Sequence, residues 1–377
     1  HNMSQTKVEA PFVEGGGGIN FKNLIINGNF EVAQRSTSAV TAGNGTFTTV
    51  DRWKTFTGNL GGAYTTQQKT NSLADQATTG QENYLEIKCT STDSSVHSQA
   101  YSMIRQHVEA SSYLQSKLRY GTSDAQKLTL SFWIKTNLTG THSMSWYYNG
   151  STDGNTTYYY PFNFTVSSAN TWEKKIITIP APPTSYGSIN AGNATGGLLN
   201  INLQIGSDYQ DPAGSWTGNV AYASEDVPNF FTSTDNNILI TAIQLEVGDD
   251  ASDFEYIPFD VQLARCQRYY QQVPHTASGS YQGTPFWNLN ANSAITRFPL
   301  PVTMRTNPTG GVSGTLNTDV KAYFNGGYQT LTACSVSDTT DDSVRIDLTT
   351  SGAFTANEAG GIYIVTTSGR FTMDAEL

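Results

Sequence analysis

Apolar residues on every second position are the main pattern in the first two thirds of this chain. Leu128, Leu130, Phe132 and Ile134 show it most clearly, and in a β-strand they would share one face. Similar runs recur at short intervals with no helical periodicity between them, at 47–56, 63–68, 84–89, 98–108, 127–136, 143–148, 158–164, 172–179 and 198–205. Many short strands in succession predict an all-β fold, with a jelly-roll sandwich over residues 23–257.

Two strand-like segments lie far apart in the chain but have the same pattern. Residues 23–31 and 238–248 are short apolar runs bounded by turn-forming residues, and each carries a glutamate near its end, Glu31 and Glu246. We interpret them as the opening and closing strands of the jelly roll.

Residues 258–272 have the spacing of a helix. Pro258 precedes the helix, Asp260 is a suitable N-cap, and Phe259 begins an apolar stripe at helical spacing. The stripe continues through the candidate oligomer-interface residues Leu263, Cys266 and Tyr270. It would pack either on its own domain or along a three-fold axis between chains, and both alternatives stay open at this point. A shorter helical turn is predicted at 111–118.

Residues 280–377 form a second region of strand-like runs, which follows a helical connector over 258–279. The runs lie at 294–301, 320–324, 328–335, 343–348, 361–367 and 370–375. Asn325 and Gly326 between two of these runs are the signal of a two-residue hairpin turn. The region has the size of a small independent domain, and we expect a C-terminal β-sandwich smaller than the first.

Residues 1–22 match neither β-region. Four consecutive glycines, Gly15 to Gly18, predict a flexible hinge, and Pro11, Phe12 and Val13 precede it. The segment is either a disordered tail or a short peptide that docks the protein onto a larger particle. The three apolar residues favour docking.

The composition agrees with β-structure and narrows the choice of partners. The chain has 34 Gly, 20 Tyr and 17 Phe, and only 14% of its residues are charged. The net charge of -10 argues against binding to nucleic acid or to anionic membrane surfaces, and no apolar run predicts membrane insertion. Three distant cysteines without a CxxC pair argue against a disulfide framework or a zinc site, and fit assembly in a reducing cytoplasm.

Aromatic clusters are the candidate binding chemistry. Exposed rings stack on the apolar face of a sugar, and nearby amides and carboxylates supply hydrogen bonds. The richest clusters are the three consecutive aromatic residues at 146–148 and those at 158–160. Because neighbours in a strand point to opposite faces, at least one ring of each cluster is expected to be exposed. The candidates for carbohydrate binding are Trp146, Tyr148, Tyr158, Tyr160, Tyr209, Trp216 and Tyr222. The alternative for each ring is a place in the core or in an interface.

No catalytic motif is found in the sequence. Its five histidines form no HExxH pair, and neither a GxSxG elbow nor a phosphate-binding loop is present. A pair of carboxylates for glycoside hydrolysis stays open, because the fold and not the sequence sets their spacing. We therefore expect no enzymatic activity and keep a glycan-active enzyme as a distant alternative.

Several motifs follow one another in a definite order over about residues 23–310, which makes the set more specific than any one of them. They are LIINGNFEVAQR (24–35), DRW (51–53), LTLSFWIK (128–135), QLEVG (244–248), CQRYY (266–270) and FPLPVTMR (298–305). In order and spacing the set resembles a family of bacteriophage and prophage virion proteins, the tail-fibre or receptor-binding proteins.

The resemblance implies a jelly roll like that of carbohydrate-binding modules, a connector and a distal β-domain. It implies a homotrimer on the virion surface, with phage capsid or tail proteins and host-surface glycans as partners. Similar modules hold a structural Ca²⁺ where the first and last strands meet, which here would involve Glu31 and Glu246. Two solvated glutamates beside a sheet edge are the alternative.

We expect from these patterns a non-enzymatic virion fibre or receptor-binding protein that adheres to host glycans. Many tail fibres carry a longer attachment domain or a shaft, and this chain shows neither. A head fibre or capsid decoration protein, docked through its N-terminal tail, is therefore the alternative.

Overall fold

The computed structural model describes residues 21–149, 157–189, 192–225, 227–273, 279–366 and 368–377, and it confirms the all-β fold. The candidate docking residues Pro11, Phe12 and Val13 lie outside the described residues. In the first region the strands are β1 Val40–Thr41, β2 Thr46–Phe47, β3 Lys54–Gly58, β4 Ala63–Thr70, β5 Asn83–Ser91, β6 Tyr101–Glu109, β7 Leu128–Thr136, β8 Gly140–Asn149, β9 Thr157–Val166, β10 Glu173–Ile179, β11 Thr195–Ile205 and β12 Asn237–Val247.

These strands form two antiparallel sheets that face each other across one core. Sheet I has the order β1-β4-β5-β12-β7-β10, and sheet II has the order β2-β3-β6-β11-β8-β9. The chain passes repeatedly from one sheet to the other, which is the topology of a jelly-roll sandwich. Leu128, Leu130, Phe132 and Ile134 are all buried in this core, as their alternation predicts. The predicted jelly roll is therefore confirmed.

The predicted opening strand at 23–31 is wrong, because these residues form a turn-rich segment. Asn27 and Phe30 have positive φ values of 59° and 56°, which end any extended pairing. The segment still lies against the closing strand: the Leu24 amide donates to the Leu245 carbonyl at 2.8 Å. The Ile243 amide likewise donates to the carbonyl of Gly28 at 2.9 Å. The predicted neighbourhood of the two segments is thus correct, although the first is not a strand.

Three α-helices occur in the described residues: α1 Leu73–Thr79, α2 Ala110–Ser116 and α3 Phe259–Gln267. The sequence pattern gave no signal for α1, and it placed α2 one to two residues late. The predicted end of α3 at residue 272 is wrong, since strand β13 (Tyr270–Val273) follows it and pairs with a later strand. The N-cap position of α3 is Pro258, and Asp260 lies in the first turn instead of capping it.

The second region contains β13 and nine further strands. They are β14 Ser280–Asn288, β15 Ser293–Pro299, β16 Thr309–Ser313, β17 Val320–Phe324, β18 Gly327–Gln329, β19 Leu331–Ser337, β20 Ser343–Thr350, β21 Ala359–Ile364 and β22 Arg370–Asp374. One sheet has the order β13-β22-β16, the other β18-β17-β21-β14-β15-β20-β19, and they enclose a second apolar core. The hairpin is confirmed, with φ values of 49° at Asn325 and 77° at Gly326 between β17 and β18.

Buried charges join the two regions at a junction beside β13 and β22. Arg52, which is 1% exposed, donates to Glu376. Arg35 lies 3.3 Å from Asp51 and 3.2 Å from Asp374. The anionic partners of these two arginines therefore come from two places that are distant in the chain. Asp51 belongs to the first β-region, and Asp374 and Glu376 lie at the end of the second.

The junction also fixes the apolar stripe of α3. Cys266 is fully buried within one chain, and the ring of Tyr270 lies 3.7 Å below the guanidinium of Arg35. These two candidate interface residues are thus already covered, which contradicts their placement on a three-fold axis and supports packing within one chain. Leu263 is half-buried.

Candidate functional site

The outer face of sheet II, turned away from the sandwich core, carries the candidate site. Along β8, Met144, Trp146 and Tyr148 point into the core. The alternate residues Ser145 and Tyr147 therefore point outwards. Antiparallel register places Tyr147 opposite Tyr159 of β9.

Six rings form a continuous cluster on this face, which we call the aromatic face: Phe56, Tyr101, Tyr147, Tyr159, Tyr209 and Tyr222. Phe56 and Tyr101 are stacked with ring centroids 4.8 Å apart. Tyr222 is at the centre, with ring centroids 5.2 Å from Tyr209, 5.9 Å from Tyr101 and 6.0 Å from Tyr159. All except Tyr159 are half-buried, so the cluster keeps ring surface in contact with solvent.

Residues 206–225 lie along the edge of sheet II and hold two of the rings in place. The amide of Thr217 donates to the carbonyl of Tyr159 at 2.9 Å, which adds this segment to the edge strand β9. The Tyr222 amide donates to the Tyr209 carbonyl at 2.9 Å, and the Asn202 side-chain amide donates to the Tyr222 carbonyl at 2.6 Å. The position of the rings is thus set by backbone contacts.

Arg105 of β6 occupies the middle of the aromatic face. Its guanidinium carbon lies 3.7 Å from the ring centroid of Phe56 and 5.5 Å from that of Tyr222, within the range of cation–π contacts. Nη2 donates to the sulfur of Met103 at 2.9 Å, and Nε has no partner in the described structure. The side chain is 7% exposed.

Other polar groups surround Arg105. Register places Lys54 and Asn200 beside it on the two neighbouring strands. His107 lies two residues further along β6, and a hydrogen bond of 3.0 Å joins its Nδ1 atom to the hydroxyl of Thr195. Burial lowers the pKa of His107 well below its usual value, and the charges of Arg105 and Lys54 lower it further. The imidazole is therefore neutral at pH 7.

The predicted sugar-binding rings are divided between the two sides of the sheet. Trp146 and Tyr148 are 0% exposed and Tyr160 is buried, so the prediction of an exposed ring is wrong for these three. These three residues occupy the alternate strand positions whose side chains point into the core. Tyr209 and Tyr222 do belong to the aromatic face.

Tyr158 and Trp216 lie in a separate group. Tyr158 stacks on Tyr186 with centroids 3.7 Å apart, and the indole of Trp216 donates to the carbonyl of Pro180 at 3.0 Å. Trp216 also packs edge-on against the buried ring of Tyr148. Both rings are half-buried against the core, and a binding role for them stays a prediction.

Tyr147, Tyr159 and Arg105 are site residues that the sequence interpretation missed. A signal for Tyr147 exists in β8, where Ser143 and Ser145 mark the odd positions as the polar, outward side. Tyr147 shares that parity.

The two candidate calcium ligands are engaged separately. The Glu246 carboxylate accepts hydrogen bonds from the amide and hydroxyl of Ser252, at 2.9 Å and 2.6 Å, and from the side chain of Gln244 at 3.0 Å. The Glu31 carboxylate accepts from the side chain of Asn29 at 3.3 Å. Over the described ranges, no group of three or more His, Cys, Asp or Glu side chains could hold a metal ion. Calcium binding by Glu31 and Glu246 stays a prediction.

No helix among the residues that the structure describes is long and apolar enough to cross a membrane.

Comparison with known proteins gives distant likenesses only. No protein-family model and no curated protein matches this chain. Among solved structures, a protein from Bacteroides thetaiotaomicron described as sugar-binding is 13% identical with a TM-score of 0.33, over 60% of this chain and 99% of that one. A xylan-binding domain from Paenibacillus barcinonensis is 14% identical with a TM-score of 0.29, over 52% of this chain and 91% of that one.

The enzymatically active domain of tailspike protein 4 from bacteriophage CBA120 is also similar. It is 14% identical with a TM-score of 0.26, over 60% of this chain and 21% of that one. With TM-scores below 0.5, none of these likenesses contributes to the assignment of a function.

Proposed function

We propose that this chain is a non-enzymatic carbohydrate-binding protein and that its aromatic face binds a glycan of a cell surface. The observation that carries the proposal is the continuous cluster of six rings on the outer face of sheet II. A sugar ring buries its apolar face well against such a surface, because aromatic rings supply large, flat contacts.

The polar groups on the same face suit the hydroxyl groups of a sugar. The Oδ1 atoms of Asn200 and Asn202 are buried and have no partner in the described structure. Unpartnered buried acceptors are uncommon in native folds, and an ordered water that bridges them to a bound sugar would satisfy them. Rings for stacking and amides for orientation are the usual composition of a small-ligand site.

We further propose that the protein acts as a virion fibre or receptor-binding protein, and assembles as a homotrimer that binds host glycans through several weak contacts. The support for this is the ordered set of sequence motifs over about residues 23–310. A head fibre or decoration protein with the same glycan-binding face is the second candidate, favoured by the apolar residues Pro11, Phe12 and Val13 in the tail.

Glycan-array binding and calorimetry test the binding site. Tyr147→Ala and Tyr222→Ala should each weaken binding about tenfold, since stacking of a nucleobase on one aromatic ring is worth roughly 1–3 kcal/mol and a sugar face makes a similar flat contact. Tyr256→Ala is the matched control, because this tyrosine is 86% exposed and lies outside the aromatic face. Equal loss in all three variants, or in none, would refute the location of the site.

Light scattering after gel filtration tests the fibre proposal. A trimer agrees with it, and a monomer would favour a decoration protein that assembles only on its particle. Incubation with the bound polysaccharide tests the absence of enzymatic activity, and release of reducing ends would contradict it.

A further inference from the structure

Arg105 is a buried cation for which the described part of the chain supplies no anionic partner. Two arginines in the described chain are less than 9% exposed, Arg52 and Arg105. Arg52 donates to the carboxylate of Glu376. For Arg105, no carboxylate oxygen of the described residues lies within 4.0 Å of the guanidinium. The two buried arginines thus differ in the one partner that normally makes such burial tolerable.

The contacts that Arg105 does make leave its charge and one donor unmatched. Phe56 and Tyr222 offer ring faces, the Tyr222 hydroxyl offers a neutral hydrogen-bond acceptor, and Met103 offers a sulfur, which is a weak acceptor. The Nε–H donor has no partner in the described structure, and neither has Nε2 of neighbouring His107. A guanidinium presents a planar fork of donors that suits the paired oxygens of a carboxylate, sulfate or phosphate group.

A second cation, Lys54, lies beside Arg105, although the whole chain carries a net charge of -10 and the carboxylates of Glu376 and Asp374 act on Lys54. Lys54 is its register partner on β3, and these two cations together lower the pKa of His107. The rings of the aromatic face belong to one phenylalanine and five tyrosines, so the cluster brings no carboxylate to Arg105. A positive centre within uncharged rings would attract an anionic group and not only a neutral sugar.

We propose that the glycan bound by the aromatic face is anionic, and that a carboxylate, sulfate or phosphate group on one of its sugars accepts hydrogen bonds from Arg105. The proposal rests on the proposed glycan-binding function. The rings supply the stacking surface, and Arg105 selects the charged sugar among those that the rings would accept.

Matched pairs of saccharides test the proposal with the full chain. An array would carry oligogalacturonates beside their methyl esters, together with sulfated and phosphorylated oligosaccharides beside their unmodified forms. We expect at least tenfold preference for the charged member of one pair, and the pair that shows it identifies the anionic group. Equal binding of both members, or binding of neutral sugars only, would overturn this inference and leave glycan binding intact. If no saccharide bound, glycan binding itself would fail, and the inference with it.

Substitution of Arg105 separates a binding role from a structural one. Arg105→Gln should abolish the preference for the charged saccharide, so that the charged and neutral members of the pair bind equally within about twofold. Because the unpaired charge is then gone, the melting temperature of the free protein should be unchanged or higher. A lower melting temperature with an unchanged preference would show that Arg105 is structural and would overturn the proposal.

Two further variants complete the test. Arg105→Lys keeps the charge but loses the planar fork, so the affinity for the charged saccharide should fall between those of wild type and Arg105→Gln. Arg119→Gln, at an exposed arginine paired with Asp124, should change neither affinity nor melting temperature. An equal loss of affinity in Arg119→Gln would mean that general electrostatics, and not Arg105, sets the preference.

Discussion

The ion pair between Arg52 and Glu376 offers a sharp test of how the two β-regions are joined. Glu376→Gln removes the negative charge and leaves a similar volume. Arg52 and Glu376 have side chains that are 1% and 3% exposed, so the remaining guanidinium would stay away from water. Removal of one partner from a buried ion pair costs about 3–5 kcal/mol, because the other charge is left uncompensated.

The expected value lies at the lower end of that range. Arg52 also donates to the carbonyl of His107 at 2.7 Å, and its guanidinium lies 3.4 Å over the ring of Tyr269. These contacts persist in the variant and stabilise part of the charge. We therefore expect Glu376→Gln to lower the free energy of unfolding by about 3 kcal/mol.

Urea unfolding followed by tryptophan fluorescence measures this loss. Asp249→Asn is the control, because its pair with Lys127 is exposed to water that screens the two charges, and its loss should leave the urea midpoint nearly unchanged. The double variant Arg52→Met, Glu376→Gln should recover much of the loss, since no buried charge then lacks its partner. A Glu376→Gln variant within about 0.5 kcal/mol of wild type would refute the reasoning.

Three further outcomes test the fold. Trp146→Ala should cost about 3–5 kcal/mol in urea unfolding, because this ring is fully buried, whereas a stable variant would place Trp146 outside the core. Gly28→Ala should cost at least about 1–3 kcal/mol, because its Cβ would lie 2.0 Å from a backbone oxygen; an unchanged urea midpoint would contradict the close approach of the two segments. Burial acts to raise the pKa of Glu109, but hydrogen bonds led by Arg268 outweigh it and lower that pKa. The stability from this pair is therefore present above the unfolded-state pKa of about 4.3 and lost as the pH falls through the lowered value. Glu109→Gln should remove that pH dependence from the urea midpoint, and an unchanged pH profile would speak against the pair.

The sequence predicts most of the fold because period-two alternation is strong in the long strands. β7, β12 and β17 lie where the pattern places them. The pattern predicts the wrong element where a local turn or a distant pairing partner determines the backbone conformation. Asn27 and Phe30 adopt positive φ and break an otherwise strand-like run. Tyr270 continues the helical spacing, yet its backbone pairs with Asp374, a partner that no local pattern reveals.

The binding face shows a different kind of failure. A strand rich in aromatic residues on both parities does not say which parity is buried, and a shift by one residue exchanges the two faces. Trp146 and Tyr148, the candidates named from the sequence, lie on the core side of β8, while Tyr147 lies on the outer side. No sequence motif marks Arg105. Its proposed role rests on the lack of a nearby carboxylate among the described residues, which only the three-dimensional structure can show.

The junction has a consequence for the order in which the protein acquires its structure during synthesis. β22 pairs with both β13 and β16, and Glu376 lies two residues after its end. These residues leave the ribosome after every other strand of the two β-regions. The jelly roll can therefore fold while the second region is still being translated, since domains generally fold as units in the order of their synthesis. Until residues 370–376 emerge, Arg52 lacks its carboxylate and the second region lacks the strand that joins its smaller sheet. A nascent chain arrested before residue 370 should thus carry a folded jelly roll that is not yet fixed to its neighbour.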